Sequence, residues 1–206
     1  MKWDELLHIV EKEPVFSSSL LTAGSIDPVK IGTQLSRWVE SGKLIQIRRG
    51  LYALAERYRK TDPHPFHIAN RIKRASYVSL QSALEHHGLI PEYVPAITSV
   101  TTGRPQTLET SLGTYIYRHI KTDLFFDYTR EESAPARSFF IASPEKALLD
   151  LLYLTPGSDD PAYLEELRLQ NRDRLDRKHL RDIIRRTGRP KLARALDILE
   201  NRAEEF

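Results

Sequence analysis

The residue types best suited to catalysis lie in one short segment that contains Glu145, Lys146 and Asp150. Carboxylates beside a lysine can hold Mg²⁺ near a phosphate, which is the chemistry of a nuclease. The spacing opposes that interpretation, because adjacent helical residues project about 100° apart and would not easily share one site. Lys146 and Asp150 are four residues apart, which is typical of an ion pair on a helix surface. We therefore predict no catalytic residues here.

A second group, His64 and His67 with Asp62, has the loose spacing of metal ligands. The prolines at 63 and 65 favour a linker with polar rings instead. The chain has no cysteine, which excludes thiolate zinc sites and cysteine nucleophiles. It also lacks a Walker-type glycine loop, a Gly-x-Ser-x-Gly motif and a His-Glu-x-x-His motif. We predict a protein that is not an enzyme and has no metal or cofactor.

Polar side chains with the chemistry of DNA recognition follow one face of a predicted helix. Lys30, Thr33, Gln34 and Arg37 have the i, i+3, i+4, i+7 spacing of such a face. These residue types can match the hydrogen-bonding groups of base edges in the major groove. An ordinary solvated helix has the same pattern, and for Gln34 simple exposure to solvent explains its position equally well.

Other cationic and hydroxyl side chains are suited to the phosphate backbone. We predict backbone contacts by Lys43, Arg48 and Arg49, and additional ones by Ser17, Ser18 and Ser19. Contacts of this kind position a protein on DNA, whereas base contacts carry sequence information. The net charge of the chain is only +3, but residues 27–60 contain eight bases against three acids. This local excess favours a phosphate polymer as the partner.

The order of elements in the N-terminal part predicts a winged helix-turn-helix. Apolar spacing predicts helices over 3–12, 17–22 and 28–41. Pro14 ends the first, Gly24 ends the second, and Asp27 caps the start of the third. After Gly42 the period changes to two, which predicts strands over 44–47 and 51–54 joined by a turn. Asp62–Pro65 then interrupts regular structure, so we predict a DNA-binding domain over 1–60 and a second domain over 61–206.

The second region mixes both element types, and the predicted fold class is α+β: a winged helix-turn-helix, a mixed α/β domain and a helical tail. We predict helices over 66–74, 79–87, from 143 onward, and over 162–172, 176–187 and 190–203, with strands over 96–102, 114–120 and 137–141. The tyrosines Tyr77, Tyr115, Tyr117 and Tyr128 are interpreted as core residues rather than as a base-stacking platform. Arg185 and Arg186 of the basic tail are candidate additional phosphate contacts, although a solvated helix face has the same pattern.

Three segments together resemble the AbiE-type antitoxins of type IV, or abortive-infection, toxin–antitoxin systems. The first is Gly42–Ala53, which is similar to the wing of that family. The second reads Tyr-Val-Ser-Leu-Gln-Ser-Ala-Leu-Glu-His-His-Gly-Leu from Tyr77, and the third reads Ser-Pro-Glu-Lys-Ala-Leu-Leu-Asp-Leu-Leu from Ser143. The wing motif alone has little specificity, whereas the three in this order have more.

The resemblance implies an N-terminal winged helix that represses the antitoxin's own operon by binding inverted repeats. It also implies a C-terminal antitoxin domain that counters a nucleotidyltransferase-like toxin without requiring a stable complex. The expected partner is therefore double-stranded operator DNA, with a toxin as functional counterpart. The alternative is a stand-alone transcriptional regulator whose second domain binds a ligand or a protein.

The N-terminal residues lack the apolar core of a signal peptide, and no apolar run approaches the roughly 20 residues of a membrane span. The expected localisation is cytoplasmic, with no membrane partner.

Overall fold

The computed structural model describes residues 1–11, 13, 15–22, 28–133 and 138–201. The chain divides into two units. The first comprises residues 1–74 with the short segments 109–113 and 132–139, and the second comprises 75–108, 114–131 and the residues from 140 onward.

The first unit has the predicted order of helices and strands. Its elements are α1 (Trp3–Ile9), β1 (Val15–Ser17), α2 (Ser18–Leu21), α3 (Pro28–Glu40), β2 (Leu44–Arg48), β3 (Leu51–Leu54) and α4 (Pro65–Ile72). The strands form one sheet in the order β1-β3-β2. The winged helix-turn-helix is confirmed, with β1 as an additional strand that pairs antiparallel to β3. Pro14, Gly24 and Asp27, to which we assigned helix ends, lie outside the described residues.

One apolar cluster packs α1, α2 and α3 against the three-stranded sheet. It contains Leu6, Val10, Phe16, Leu21, Ile31, Leu35, Trp38, Leu44, Tyr52 and Leu54. The ring of Trp3 packs edge-on against Trp38, with 5.1 Å between ring centroids. Full burial of one large apolar side chain is worth about 1.5–3 kcal/mol, so the cluster fixes how each helix is rotated toward the sheet.

A second sheet and the remaining helices confirm the α+β fold class. The strands are β4 (Ser76–Val78), β5 (Ala96–Thr101), β6 (Gln106–Thr110), β7 (Gly113–His119), β8 (Tyr128–Glu132) and β9 (Ser138–Ala142), and the helices are α5 (Leu80–His86), α6 (Pro144–Leu154), α7 (Pro161–Glu166), α8 (Arg177–Thr187) and α9 (Pro190–Asn201). The strand order is β6-β7-β5-β4-β9-β8. Strand β4 is antiparallel to β5 and parallel to β9. None of the described helices is long and apolar enough to cross a membrane.

The helical tail differs from the prediction in one place. The helix predicted over 162–172 ends at Glu166. Arg168 and Asn171 both have φ of 49°, in the left-handed region that stops an α-helix. Arg137 and residues 202–203, which we assigned to the ends of a strand and a helix, lie outside the described residues. Tyr77, Tyr115 and Tyr117 are buried, as their assignment to the core requires, whereas Tyr128 is half-buried.

The predicted surface pair Lys146–Asp150 is instead buried, with each residue only 2% exposed, so that prediction is wrong. The Asp150 carboxylate accepts hydrogen bonds from the hydroxyls of Tyr77 (3.0 Å) and Ser79 (2.8 Å). The Lys146 ammonium contacts the same carboxylate and donates to the Tyr77 hydroxyl at 2.9 Å. Burial raises the pKa of Asp150, while Lys146 and the two hydroxyls act in the opposite direction. Four polar side chains thus compensate one another inside the second unit.

Replacing Lys146 by Met should destabilise the protein strongly, because it leaves the Asp150 carboxylate buried without its cation. Losses on breaking a buried pair are about 3–5 kcal/mol, measurable by urea unfolding. The double variant Lys146→Met, Asp150→Leu should recover much of that loss. Arg185→Met, which breaks the exposed Arg185–Asp182 pair, should cost under about 1 kcal/mol. Equal losses in the free energy of unfolding for Lys146→Met and Arg185→Met would contradict this account.

His87 gives the stability a predictable pH dependence. Its Nε2–H donates to the carbonyl oxygen of Ala142 at 2.9 Å, and burial lowers the pKa of the ring below its ordinary 6.5. The unfolded chain therefore binds this proton more readily, so the free energy of unfolding should fall as the pH drops through 6.5. His87→Gln, which can keep the donor, should flatten urea-measured stability between pH 7.5 and 5.5. His8→Gln, at an exposed position, is the matched control; an unchanged slope in His87→Gln would refute the assignment.

Candidate nucleic-acid interface

Helix α3 carries the predicted DNA-reading residues on the face that is turned away from the core. Ile31, Leu35 and Trp38 are buried on one side of the helix. Lys30, Thr33 and Arg37 are exposed on the other, and Gln34 is half-buried. The 3.6-residue period produces this separation, because residues three and four apart share a face. The structure thus brings the four predicted residues together as one stripe.

The stripe side chains differ in whether they form hydrogen bonds within the protein. Thr33 donates its hydroxyl to the carbonyl of Val29, one turn earlier, at 3.1 Å. The side chains of Lys30, Gln34 and Arg37 make no hydrogen bond or ion pair with the described residues. Their donors and acceptors therefore remain available for a partner. The hydroxyl oxygen of Thr33 can still accept a hydrogen bond.

The wing is the β2–β3 hairpin, and its tight turn requires Gly50. That residue has φ of 77°, a conformation that strains side-chain-bearing residues. The N–H of Ser18 donates to the Gly50 carbonyl at 2.9 Å, so the start of α2 lies against the wing turn. The hydroxyls of Ser17 and Ser19 are hydrogen-bonded to each other at 2.7 Å. The predicted serine segment and the wing are thus neighbours in space.

Arg48 and Arg49 differ in a way that the sequence does not predict. Arg48 donates from Nε to the carbonyl of Ile72 (3.1 Å) and from Nη1 to the carbonyl of Arg49 (3.1 Å). Its Nη2 donates to no described residue, and the same holds for the whole guanidinium of the exposed Arg49. Arg48 therefore has a structural role within the first unit, while Arg49 extends from the wing with its donors free of described partners.

Lys43 also has an internal contact. It is half-buried, and its ammonium lies 5.1 Å from the ring centroid of Trp3. A cation–π contact of this kind holds the side chain beside α1 without neutralising its charge. Lys43 can therefore contribute to the positive potential of the wing from a fixed position.

Charge on α3 and the wing is predominantly positive. Residues 28–39 and 41–55 contain no acidic side chain, and their bases are Lys30, Arg37, Lys43, Arg48 and Arg49. The single acid between the two segments is Glu40, at the end of α3. A surface with this composition attracts any polyanion, because its potential depends on net charge rather than on the partner's sequence.

The tail arginines that we predicted as additional phosphate contacts lie on α8 in the second unit. Arg185 is paired with Asp182, with 3.0 Å between nitrogen and oxygen. The guanidinium of Arg186 lies 3.7 Å from the ring centroid of Phe126. Both side chains have internal partners, which the charge pattern of the tail does not reveal. Their contact with phosphate remains a prediction.

The residues considered for catalysis or metal binding are used in packing. Glu145, Lys146 and Asp150 are buried, and Glu145 accepts a hydrogen bond from the backbone N–H of Asp176 at 2.8 Å. His64 stacks on Phe139, with 4.8 Å between ring centroids, and His67 bonds the carbonyl of Ser138 through Nδ1 at 2.8 Å. Within the described part of the chain, no group of three or more His, Cys, Asp or Glu side chains could hold a metal ion.

Comparison with known proteins gives a family match for the N-terminal segment. Residues 6–55 match the model of a family described as "Transcriptional regulator, AbiEi antitoxin". This is the segment that forms the apolar cluster, α3 and the wing. The description is that of a regulator rather than of an enzyme class. The search of curated proteins gives no match to this chain.

The whole chain also resembles a solved structure. The crystal structure of the RV2827C protein from Mycobacterium tuberculosis superposes with a TM-score of 0.59 and 17% sequence identity. The match covers 96% of this chain and 75% of the other. At this identity the likeness establishes a shared fold.

Alanine substitutions at Gln34 and Arg37 should reduce preference between DNA sequences rather than general affinity. Removing a base contact costs about 1–3 kcal/mol at the contacted base pair and little on random DNA. Competition titrations of specific against random duplex would measure the ratio. Ser36→Ala, on the same helix but off the stripe, is the matched control because its hydroxyl donates only to the carbonyl of Gly32. Equal reductions on both duplexes would show that the stripe does not read bases.

Proposed function

We propose that the protein is a type IV antitoxin that represses its own operon, on the premise that residues 6–55 match the AbiEi antitoxin regulator family. Its direct partner is double-stranded DNA, bound at inverted repeats upstream of its gene. Its functional counterpart is a nucleotidyltransferase-like toxin, which it opposes without a stable complex. The protein acts in the cytoplasm.

The observation that carries the regulatory part is the stripe on α3 beside an acid-free wing. Lys30, Gln34 and Arg37 face away from the core without described partners, as groove-reading side chains require. Arg49 extends from the turn at which a winged helix contacts the DNA backbone. The sequence-reading and backbone-holding groups thus belong to one folded unit.

The antitoxin part of the proposal is supported by the resemblance of two segments in the second unit. The Tyr77–Leu89 segment contains the end of β4 and all of α5, and the Ser143–Leu152 segment contains most of α6. Tyr77 and Asp150 connect the two segments through a buried hydrogen bond of 3.0 Å. Residues that the resemblance assigns to the antitoxin domain therefore support the fold of that unit, and its toxin-opposing surface is built on them.

The repressor role predicts specific binding to the DNA upstream of the gene. The purified full-length protein should shift that duplex in the presence of excess random competitor, with affinity falling steeply as salt rises. In a reporter strain, the wild-type protein should lower expression from that promoter, whereas Gln34→Ala, Arg37→Ala should not. Ser36→Ala should repress as the wild type does. Binding that never exceeds binding to random DNA would exclude the repressor role.

The antitoxin role has a separate readout. Expression of the adjacent reading frame alone should arrest growth, and co-expression of this protein should restore it. The Gln34→Ala, Arg37→Ala variant should restore growth equally when expressed from a foreign promoter, because the second unit is unchanged. A protein that represses its promoter but never restores growth would be a stand-alone regulator, the alternative that the sequence leaves open.

A further inference from the structure

Beyond the first sixty residues, the first unit contains a second cationic segment. Residues 63–74 include no acidic side chain, and Arg71, Lys73 and Arg74 lie at and just after the end of α4. Arg74 is exposed, and Arg71 and Lys73 are half-buried. The side chains of Arg71 and Arg74 make no hydrogen bond or ion pair with the described residues. Their charge is therefore not neutralised by an acid in the part of the chain that the structure describes.

A hydrogen bond joins the wing to this segment. The Nε–H of Arg48 donates to the carbonyl of Ile72, the last residue of α4, at 3.1 Å. Helix α4 ends because Lys73 turns to an extended conformation (φ −133°, ψ 101°) after donating its N–H to Ala69. The Ile72 carbonyl then has no N–H donor one turn on, and a cation at this negative end of the helix is favourable.

This bond places the two cationic segments side by side. Arg71 and Lys73 flank Ile72 and Arg74 is two residues on, so their Cα atoms lie within about 8 Å of that of Ile72. On the wing side, Arg49 is adjacent to Arg48 in the chain. Bases from two acid-free segments therefore lie on the two sides of this hydrogen bond.

We propose that the wing tip and the end of α4 form one phosphate-binding surface, which holds the backbone of the DNA duplex next to the site read by α3. Arg71, Lys73 and Arg74 supply charge together with Arg49, and Arg48 positions the wing against α4. The proposal rests on the proposed function for its choice of duplex DNA. It adds that the DNA-contacting surface continues past the wing, to residue 74.

The test is the salt dependence of binding by the full-length Arg71→Gln, Arg74→Gln variant. The slope of log affinity against log salt should fall by about 0.9 for each phosphate that the variant no longer neutralises. The reduction should be the same on upstream and random duplex, since backbone contacts carry no sequence information. The matched control is Arg177→Gln, Lys178→Gln, which removes two exposed neighbouring charges from α8 in the second unit and should leave the slope unchanged. Addition of Lys73→Gln should lower the slope further.

The positioning role of Arg48 has its own readout. Arg48→Lys keeps the charge but removes the Nε donor, so it should weaken binding even though a point charge remains. In the Arg71→Gln, Arg74→Gln background the same change should cost less, because the surface that Arg48 positions is already impaired. If Arg48→Lys bound DNA with full affinity, Arg48 would contribute only through its charge, and its positioning role would be overturned.

The outcomes separate this proposal from the proposed function. An unchanged slope in Arg71→Gln, Arg74→Gln, with sequence preference still abolished in Gln34→Ala, Arg37→Ala, would overturn the extended surface and leave the repressor intact. Absence of any preference for upstream DNA would refute the repressor role. The salt dependence of binding to random duplex would still test the phosphate-binding surface. If the slope of Arg71→Gln, Arg74→Gln fell on single-stranded RNA but not on duplex DNA, the ligand of this surface would be RNA and the proposal would be overturned. Thermal unfolding of each variant confirms that the fold is retained.

Discussion

The rotation of α3 about its own axis is set by three buried side chains, Ile31, Leu35 and Trp38, and the interface depends on that constraint. Once they enter the apolar cluster, the stripe on the opposite side of the helix must face solvent. The wing is held to the same cluster through Leu44, Tyr52 and Leu54 of its two strands. The helix that carries the stripe and the wing hairpin are therefore positioned by one core. A cavity in that core would disturb both without altering a residue of the proposed DNA-contacting surface.

The second unit depends on a different kind of constraint, a buried ion pair. Lys146 and Asp150 are on α6, and their hydroxyl partners Tyr77 and Ser79 are in and just after β4. Removing ionised groups from water is costly unless each finds charge and hydrogen-bond partners. Burial and the nearby Asp150 charge raise the pKa of Tyr77, so its hydroxyl keeps the proton that it donates. The pair thus limits the mutual placement of α6 and β4 more narrowly than apolar contact alone would.

A local sequence pattern predicts an element whose structure depends on residues that are close in the chain. This explains which parts of the fold are predictable from the sequence. The α3 stripe and the β2–β3 hairpin follow from periods of 3.6 and 2 within short windows. Strands β1 and β4 have three residues each, too few to show a period, and they exist because distant strands pair with them. The i, i+4 spacing of Lys146 and Asp150 is the same on a surface and in a core. Only the packing of Tyr77 against them decides between the two.

The candidate site shows the same division. The stripe residues could be predicted because they share one helix, whereas the hydrogen bond of Arg48 with Ile72 joins residues 24 apart in the chain. The sequence predicts a domain boundary at Asp62–Pro65 because this segment interrupts helix and strand structure. Side-chain packing nevertheless continues beyond the interruption. Phe66, Ile68, Ala69 and Ile72 of α4 are buried, and the unit that contains the wing continues to Arg74. A chain cut at residue 60 would remove the carbonyl that Arg48 bonds, so the wing would be without its anchor although every wing residue remained.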